Sequence, residues 1–358
     1  MAMLWMDSKS WYDDDDIVLK HNQSNTSDTI ETADLNEMQY YEDMNQQLAG
    51  ANIVNFSSGE IHTGPVIVST AYYFPLANPK GYGCLFYIDS ADQCGIRAQP
   101  DGSFEAFRGD QFGSVGTSRT GLFRPGCWNT FEYQMKAADS PNGWFKVRIN
   151  GELVFSGEGL DTQRRTTAGF DRFAIRGEGA LVGHMCILDD AGSYNNDFLG
   201  PVWVRALPPV TSGEHQDWLP SGETTNFDCV KDSGLSPPDI NLNTYVGSVT
   251  DGEIDTYKFE YVDNIPGSTI RALSMNYVAD HNNDPVHPDA PGCSTAAVYH
   301  TETEFEISGE YVNAPWRAKT EANMFHGIWD RNPSGEIEWT PEAIDSGEFG
   351  FKLNTGQL

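Results

Sequence analysis

The chain has 358 residues, with 22 Lys and Arg against 52 Asp and Glu, which gives a formal net charge of −30. Its length predicts two domains of ordinary size, and a hydrophobic content of 39% is sufficient to build folded cores. The acidic excess excludes the basic surface that nucleic-acid binding requires, and it disfavours docking on an anionic membrane.

Neither a membrane anchor nor an export signal is expected. No stretch approaches the roughly 18 uninterrupted apolar residues of a spanning helix. The opening Met1-Ala2-Met3-Leu4-Trp5-Met6-Asp7 lacks the basic and long apolar regions of a secretory signal. The six cysteines form no C-x-x-C pair, so free thiols in a cytoplasmic chain are expected; they are Cys84, Cys94, Cys127, Cys186, Cys229 and Cys293.

Short alternating, β-branched or aromatic runs between Gly and Pro predict strands through the first 207 residues. The predicted strands cover 65–74, 84–89, 95–99, 103–108, 130–136, 144–149, 152–155, 170–176, 184–188 and 202–207. Asp101-Gly102 and Asn150-Gly151 supply hairpin turns, because these pairs accept positive φ angles. Helical periodicity is strongest around Thr32–Leu48, and even there the apolar stripe is thin.

The composition changes at residues 208–222, where Pro, Ser and Gly predict a domain boundary. Strands resume at 244–249, 255–261, 270–279, 295–299, 305–307 and 349–353. Thr340 followed by Pro341 predicts the start of a short helix.

These elements predict an all-β protein with two sandwiches. We expect a first β-sandwich over residues 1–210 with an irregular insertion or arm at about 13–60. A linker at 211–222 would lead to a smaller C-terminal β-sandwich over 223–358.

Two segments give the first domain a recognisable form. Residues 126–136 read Gly-Cys-Trp-Asn-Thr-Phe-Glu-Tyr-Gln-Met-Lys, and residues 144–151 read Trp-Phe-Lys-Val-Arg-Ile-Asn-Gly. This pattern of G-x-W, two alternating strands and N-G resembles the concanavalin A-like or laminin-G-like jelly-roll sandwich. The resemblance implies that the inward residues of a long curved hairpin line the core.

A longer resemblance extends in order along most of the chain, with residues 13–60 the poorest match. Residues 184–205 resemble the last strands of a group of tailed-bacteriophage virion proteins: a strand, an Asp-rich Gly loop, Asn196-Asp197-Phe198-Leu199-Gly200, and a segment ending in Arg205. Residues 218–221, 244–248, 255–259, 329–333 and 339–340 resemble the downstream part of the same group. The opening Met3–Asp7 resembles its first strand, which pairs late in the sandwich.

The virion resemblance implies a non-enzymatic structural protein displayed on the particle as head decoration or spike, or as a tail or fibre component. Its implied partners are other capsid or tail proteins and further copies of itself, after synthesis in the host cytoplasm. The alternative is a carbohydrate-binding adhesion module that recognises host surface glycan, and a less favoured one is a glycan depolymerase.

The loop that begins at Asp189 is the candidate metal site. Calcium takes six to eight oxygen ligands, and Asp189, Asp190, Asn195 and Asp197 offer carboxylate and amide oxygens around a Gly turn. The competing interpretation is a turn in which these side chains cap backbone N–H groups. No other cofactor is predicted.

Other polar groups give weaker signals. A common glycanase pattern, E-x-D-x-x-E, places its nucleophile and its acid on one face of a strand. Glu253 and Asp255 share a face, but the next acid, Glu260, is an odd number of residues from Glu253 and therefore falls on the opposite face. The run Asp13-Asp14-Asp15-Asp16 and the His- and Asp-rich segment 280–289 are expected to be solvated loops. No catalytic residue is predicted.

Overall fold

The computed structural model describes residues 3–7, 31–32, 46–48, 51–55, 61–73, 83–88, 91–109, 113–123, 126–176, 180–231, 243–262, 266–279, 293–301, 305–307, 323–334 and 337–355. The chain divides into two compact units, Met1–Arg205 and Ala206–Leu358. Across the described residues, no helix is long and apolar enough to span a membrane.

The described secondary-structure elements of the first unit are strands. They are β1 (Met3–Asp7), β2 (Glu31–Thr32), β3 (Gln46–Leu48), β4 (Ala51–Asn55), β5 (Val66–Tyr73), β6 (Gly83–Ile88), β7 (Ala91–Ala98), β8 (Phe104–Arg108), β9 (Ser114–Thr117), β10 (Trp128–Lys136), β11 (Gly143–Ile149), β12 (Glu152–Leu160), β13 (Arg172–Arg176) and β14 (Ala180–Asp189).

These strands form two antiparallel sheets. The larger sheet has eight strands in the order β12-β11-β10-β5-β14-β3-β2, with β1 also paired to β14. The smaller has six, in the order β4-β13-β6-β7-β8-β9. The pairing of β1 with β14 confirms that the opening strand joins the sandwich late. The structure confirms the predicted all-β fold with a jelly-roll sandwich at its N-terminus.

The core of the first unit follows from strand alternation. Phe131, Tyr133 and Met135 of β10 point inward with Val66 and Val68 of β5, all below 2% exposed. The opposing sheet contributes Cys84, Phe86, Cys94, Ile96, Phe104, Ala106 and Phe173. Because every second side chain is apolar, burying one face of each sheet fixes its register.

The predicted hairpins form as expected. Asn150 and Gly151 have φ angles of 51° and 84°, which is the geometry of the tight turn between β11 and β12. Gly102 adopts a φ of 77° in the turn between β7 and β8.

The strand predicted at 202–207 is wrong, because none of these residues lies in a strand. Val204 instead contacts His184 of β14 through its N–H and carbonyl groups. The weak helical periodicity around Thr32–Leu48 does not produce a helix at Gln46–Leu48, which is β3 and pairs with β14. Sheet pairing overrides a weak helical pattern there. Within the expected arm at 13–60, β4 pairs with β13, and residues 13–30, 33–45, 49–50 and 56–60 lie outside the described part.

The second unit is a smaller sandwich. Its elements are β15 (Pro209–Gln216), β16 (Leu219–Ser221), α1 (Asn226–Val230), β17 (Tyr245–Gly247), β18 (Ile254–Phe259), β19 (Leu273–Ala279), β20 (Cys293–His300), β21 (Phe305–Ile307), β22 (Asn323–Trp329), α2 (Pro341–Ser346) and β23 (Glu348–Thr355). A five-stranded sheet runs β15-β18-β23-β20-β21, and β16–β17 and β19–β22 form two-stranded sheets.

The β19–β22 sheet covers one face of the five-stranded sheet. The ring of Tyr277 lies 5.6 Å from that of Phe351, and the ring of Trp329 lies 5.9 Å from that of Phe349. Helix α2 begins as predicted, with Thr340 as N-cap and Pro341 in its first turn. The predicted linker at 211–222 differs from the structure, because its residues contribute to β15 and β16 of the second unit.

Candidate functional site

The outer face of the larger sheet of the first unit carries polar side chains that are nevertheless buried. Glu132 lies opposite Arg148 on one side and Ser69 on the other, and Gln134 is two residues further along β10. Since their sequence neighbours point into the core, these side chains point outward. Even so, Ser69, Glu132 and Gln134 are only 1–6% exposed. Another part of the chain must therefore cover this face.

Residues 195–204, named the strap here, cover this face at Glu132. The Gly200 N–H donates to Glu132 Oε1 over 2.8 Å. The Arg148 guanidinium lies 4.3 Å from the centre of the Phe198 ring, a favourable cation–π distance. Gly200 has a φ of 80°, so the strap turns at a position that suits glycine. The strap is thus bound to two neighbouring strands.

His184 holds the other end of the strap. It sits at an irregularity of β14 with a φ of 49°, and it is fully buried. Its Nδ1 lies 3.1 Å from the Val204 carbonyl oxygen and 3.2 Å from the Val204 amide nitrogen. Burial lowers the pKa of His184 to about 3, so the ring is neutral at physiological pH. Such a histidine anchors the strap irrespective of ordinary pH changes.

The electrostatics of Glu132 fit a structural role. Burial raises the pKa of Glu132, while the Gly200 N–H and the nearby Arg148 charge oppose that rise. The carboxylate is thus enclosed and engaged by the strap. An extended polymer would have to displace the strap before it reached Glu132, so the arrangement closes the face at this residue.

The predicted calcium loop leads from the end of β14 towards the strap. Asp189 Oδ1 accepts from the Ala191 N–H over 2.9 Å, and Asp197 Oδ1 accepts from the Phe198 N–H over 2.8 Å. Asn195 is buried with a φ of 54°, and the Asp190 carboxylate packs against Gly64, where a Cβ would lie 2.4 Å from its Oδ1. The Asp189 and Asp197 contacts are those of a capped turn.

Among the residues that the structure describes, no group of three or more His, Cys, Asp and Glu side chains is arranged to hold a metal ion. Calcium binding at the loop, which would also use the Asn195 amide oxygen and backbone carbonyls, stays the untested alternative to the capped turn.

The acidic pair of the second unit is engaged in two separate contacts. Asp255 is fully buried, where it accepts from Asn226 Nδ2 over 2.7 Å and from the Tyr257 hydroxyl. Burial raises its pKa to about 6. Glu253 accepts from the Ser248 hydroxyl. Asp255 therefore ties the start of α1 to β18, which is a packing role.

Sequence reasoning missed the strap anchors Glu132, His184 and Gly200. The alternation of β10 places Glu132 on the outer face, but it cannot show that this face is covered by a segment 68 residues later in the chain. Asp13–Asp16, His281 and His287 lie outside the described residues.

Comparison with known proteins adds fold likenesses only. No family model matches the chain, and no curated protein matches it. Among solved structures, an alginate lyase from Aplysia kurodai is 10% identical over 52% of this chain and 98% of that one, with a TM-score of 0.35.

Two other structural neighbours carry carbohydrate-related names. Domain 4 of an arabinanase from Geobacillus stearothermophilus is 18% identical over 52% of this chain and 93% of that one, with a TM-score of 0.35. A carbohydrate-binding module from Bacillus subtilis is 12% identical over 45% of this chain and 92% of that one, with a TM-score of 0.30. All three TM-scores are below 0.5, so no activity is carried from these proteins to this chain.

Proposed function

We propose that the chain is a non-enzymatic structural protein of a tailed-bacteriophage virion, displayed as head decoration or spike or as a tail or fibre component. The sequence resemblance supports this proposal because it follows the chain in order through both units. Its most specific segment is Asn196–Gly200, and this segment lies in the strap. One observation carries the proposal: the segment that resembles the virion proteins most specifically, Asn196–Gly200, is also the segment that covers Glu132 on the larger sheet.

The chemistry of the closed face favours a structural role over catalysis. Glu132 is enclosed beneath the strap, and His184 is a neutral anchor at physiological pH. Both polar groups stabilise the position of the chain's own backbone. A general acid or base would instead need a proton donor or acceptor within reach of a bound substrate.

A carbohydrate-binding module is the second candidate. On the β16–β17 sheet, Tyr245 is 51% exposed and Leu219 is 74% exposed, and their strand positions place them on the same face. An open aromatic ring beside an aliphatic side chain is a surface on which a sugar ring can stack. This pair favours glycan contact at the second unit.

Labelling of intact particles tests the proposed function. Antibodies raised against the recombinant chain should bind purified virions in electron micrographs at repeated positions, and particles lacking the gene should stay unlabelled. Absence of the chain from purified particles would refute the virion role. A glycan array with wild type and Tyr245→Ala tests the second candidate, and release of reducing sugar from host capsule tests for depolymerase activity.

A further inference from the structure

The connection between β12 and β13 is held in one conformation by a buried glutamine. Gln93 of β7 is fully buried. Its Nε2 donates to the carbonyl oxygens of Thr167 and Gly169 over 2.9 and 3.3 Å. Its Oε1 accepts from the N–H groups of Arg164 and Arg165 over 3.1 and 2.8 Å. One side chain thereby fixes four backbone groups of a surface loop.

Further contacts fix the beginning of the same loop. Gln163, which is 7% exposed, donates through Nε2 to the carbonyl oxygens of Arg165 and Thr166. Thr162 donates through Oγ1 to the Lys136 carbonyl oxygen over 2.6 Å. A loop tethered in this way loses little conformational freedom when it binds a partner.

The loop presents two adjacent arginines to solvent. Arg164 and Arg165 are both exposed. The stem of Arg164 lies against Gly109, where a Cβ would come within 2.5 Å of Arg164 Cδ. Arg108 lies at the base of the loop, where its Nε donates to the Gln163 carbonyl oxygen and its Nη1 pairs with Asp161. We name residues 161–169 the arginine loop.

The net charge limits which surfaces can join two copies of this chain. Each copy carries −30, so copies repel one another unless a contact places basic residues against acidic ones. Basic residues are outnumbered by 52 to 22. A preorganised arginine pair is therefore a suitable complement to the acidic surface of a neighbouring copy, and arginine binds carboxylates through two parallel hydrogen bonds.

We propose that the arginine loop is the contact through which one copy of this chain binds the acidic surface of a second copy. The proposal deepens the proposed function and rests on it, because copies displayed on a particle would use such contacts to assemble. A second copy is favoured over a nucleic acid because a loop with two exposed arginines does not provide the extended basic surface that phosphate binding requires.

Self-association of the full-length protein tests the proposal. Sedimentation of the wild type at about 150 mM salt, which screens the long-range repulsion between acidic copies, should show a dimer or larger species. Arg165→Glu should raise the dissociation constant at least about tenfold, and Arg164→Glu with Arg165→Glu should raise it further. The control Arg119→Glu makes the same charge change at another exposed arginine of the first unit and should alter it less than about twofold.

Binding of the variant to wild type distinguishes loss of the contact from loss of the fold. Arg165→Glu keeps its acidic surface, so it should still bind immobilised wild type while it fails to bind itself, and its melting temperature should match that of Arg119→Glu. A wild type that stays monomeric would overturn the proposal, and so would equal changes of the dissociation constant in Arg165→Glu and Arg119→Glu. The proposal would also be overturned if the wild type bound a nucleic acid but not a second copy of itself. None of these results bears on whether the chain is found in virions.

Discussion

Replacement of Asp255 by Asn should change how stability depends on pH. Asp255 is fully buried and accepts hydrogen bonds from Asn226 and Tyr257. Burial raises its pKa from 3.8 to about 6, so the folded protein holds the proton more tightly than the unfolded chain does. The stability that this protonation provides is complete below pH 3.8 and is lost as pH rises to about 6.

The size of this effect follows from the difference in pKa. A difference of about two pH units corresponds to about 3 kcal/mol at roughly 1.4 kcal/mol for each unit. Because the wild type must bury a charge at neutral pH and Asp255→Asn does not, the variant should gain up to that amount relative to the wild type between pH 4 and pH 7.

Urea denaturation at half-unit steps from pH 4 to pH 7 measures this difference. The free energy of unfolding of Asp255→Asn minus that of the wild type should rise with pH and level off above about pH 6.5. Asp251→Asn makes the same substitution at an exposed position of the second unit and controls for the general effect of the replacement. Parallel curves for Asp255→Asn and the wild type would show that burial does not raise the Asp255 pKa.

Three further outcomes are expected from the structure. Gly350→Ala should lower the free energy of unfolding by more than about 3 kcal/mol, because the added Cβ would lie 1.8 Å from the Asp255 carbonyl oxygen. In the control Gly247→Ala, the added Cβ meets only atoms at 3.7 Å or beyond, so the loss should be less than about 1 kcal/mol. Among the five cysteines whose side chains are described, only Cys127 is exposed, so peptide mapping after brief native alkylation should find it labelled first, and labelling of Cys84 at the same rate would contradict the buried core. The melting temperature should not respond to a chelator, because the side chains of Asp189 and Asp197 cap a turn. If a chelator lowered the melting temperature and the double substitution Asp190→Asn with Asp197→Asn abolished that decrease, the loop would be a calcium site instead.

The strand pattern was open to prediction because it depends on neighbouring residues. In β10, apolar Phe131, Tyr133 and Met135 alternate with polar side chains, and this period of two identifies a strand whatever the rest of the chain does. Asn150-Gly151 likewise predicts its turn, since this tight turn requires positive φ angles at two neighbouring residues and Asn and Gly accept them.

The strap could not be predicted because its contacts join distant parts of the chain. Residues 202–207 have the composition of a strand, yet Val204 meets His184 instead of a strand edge. The same limit applied to residues 211–222, whose Pro, Ser and Gly content indicated a linker although β15 and β16 pair there.

The all-β class, the hairpins and the acidity could be predicted from the sequence alone, because alternation, turn residues and charge are properties of short segments or of composition. Which polar side chains are enclosed depends instead on how the whole chain folds. Glu132 is an ordinary outward residue of an alternating strand until Gly200 covers it, and Gln93 is an ordinary amide until a loop more than 70 residues away folds around it. Burial depends on which distant segments meet, and no local pattern encodes that meeting.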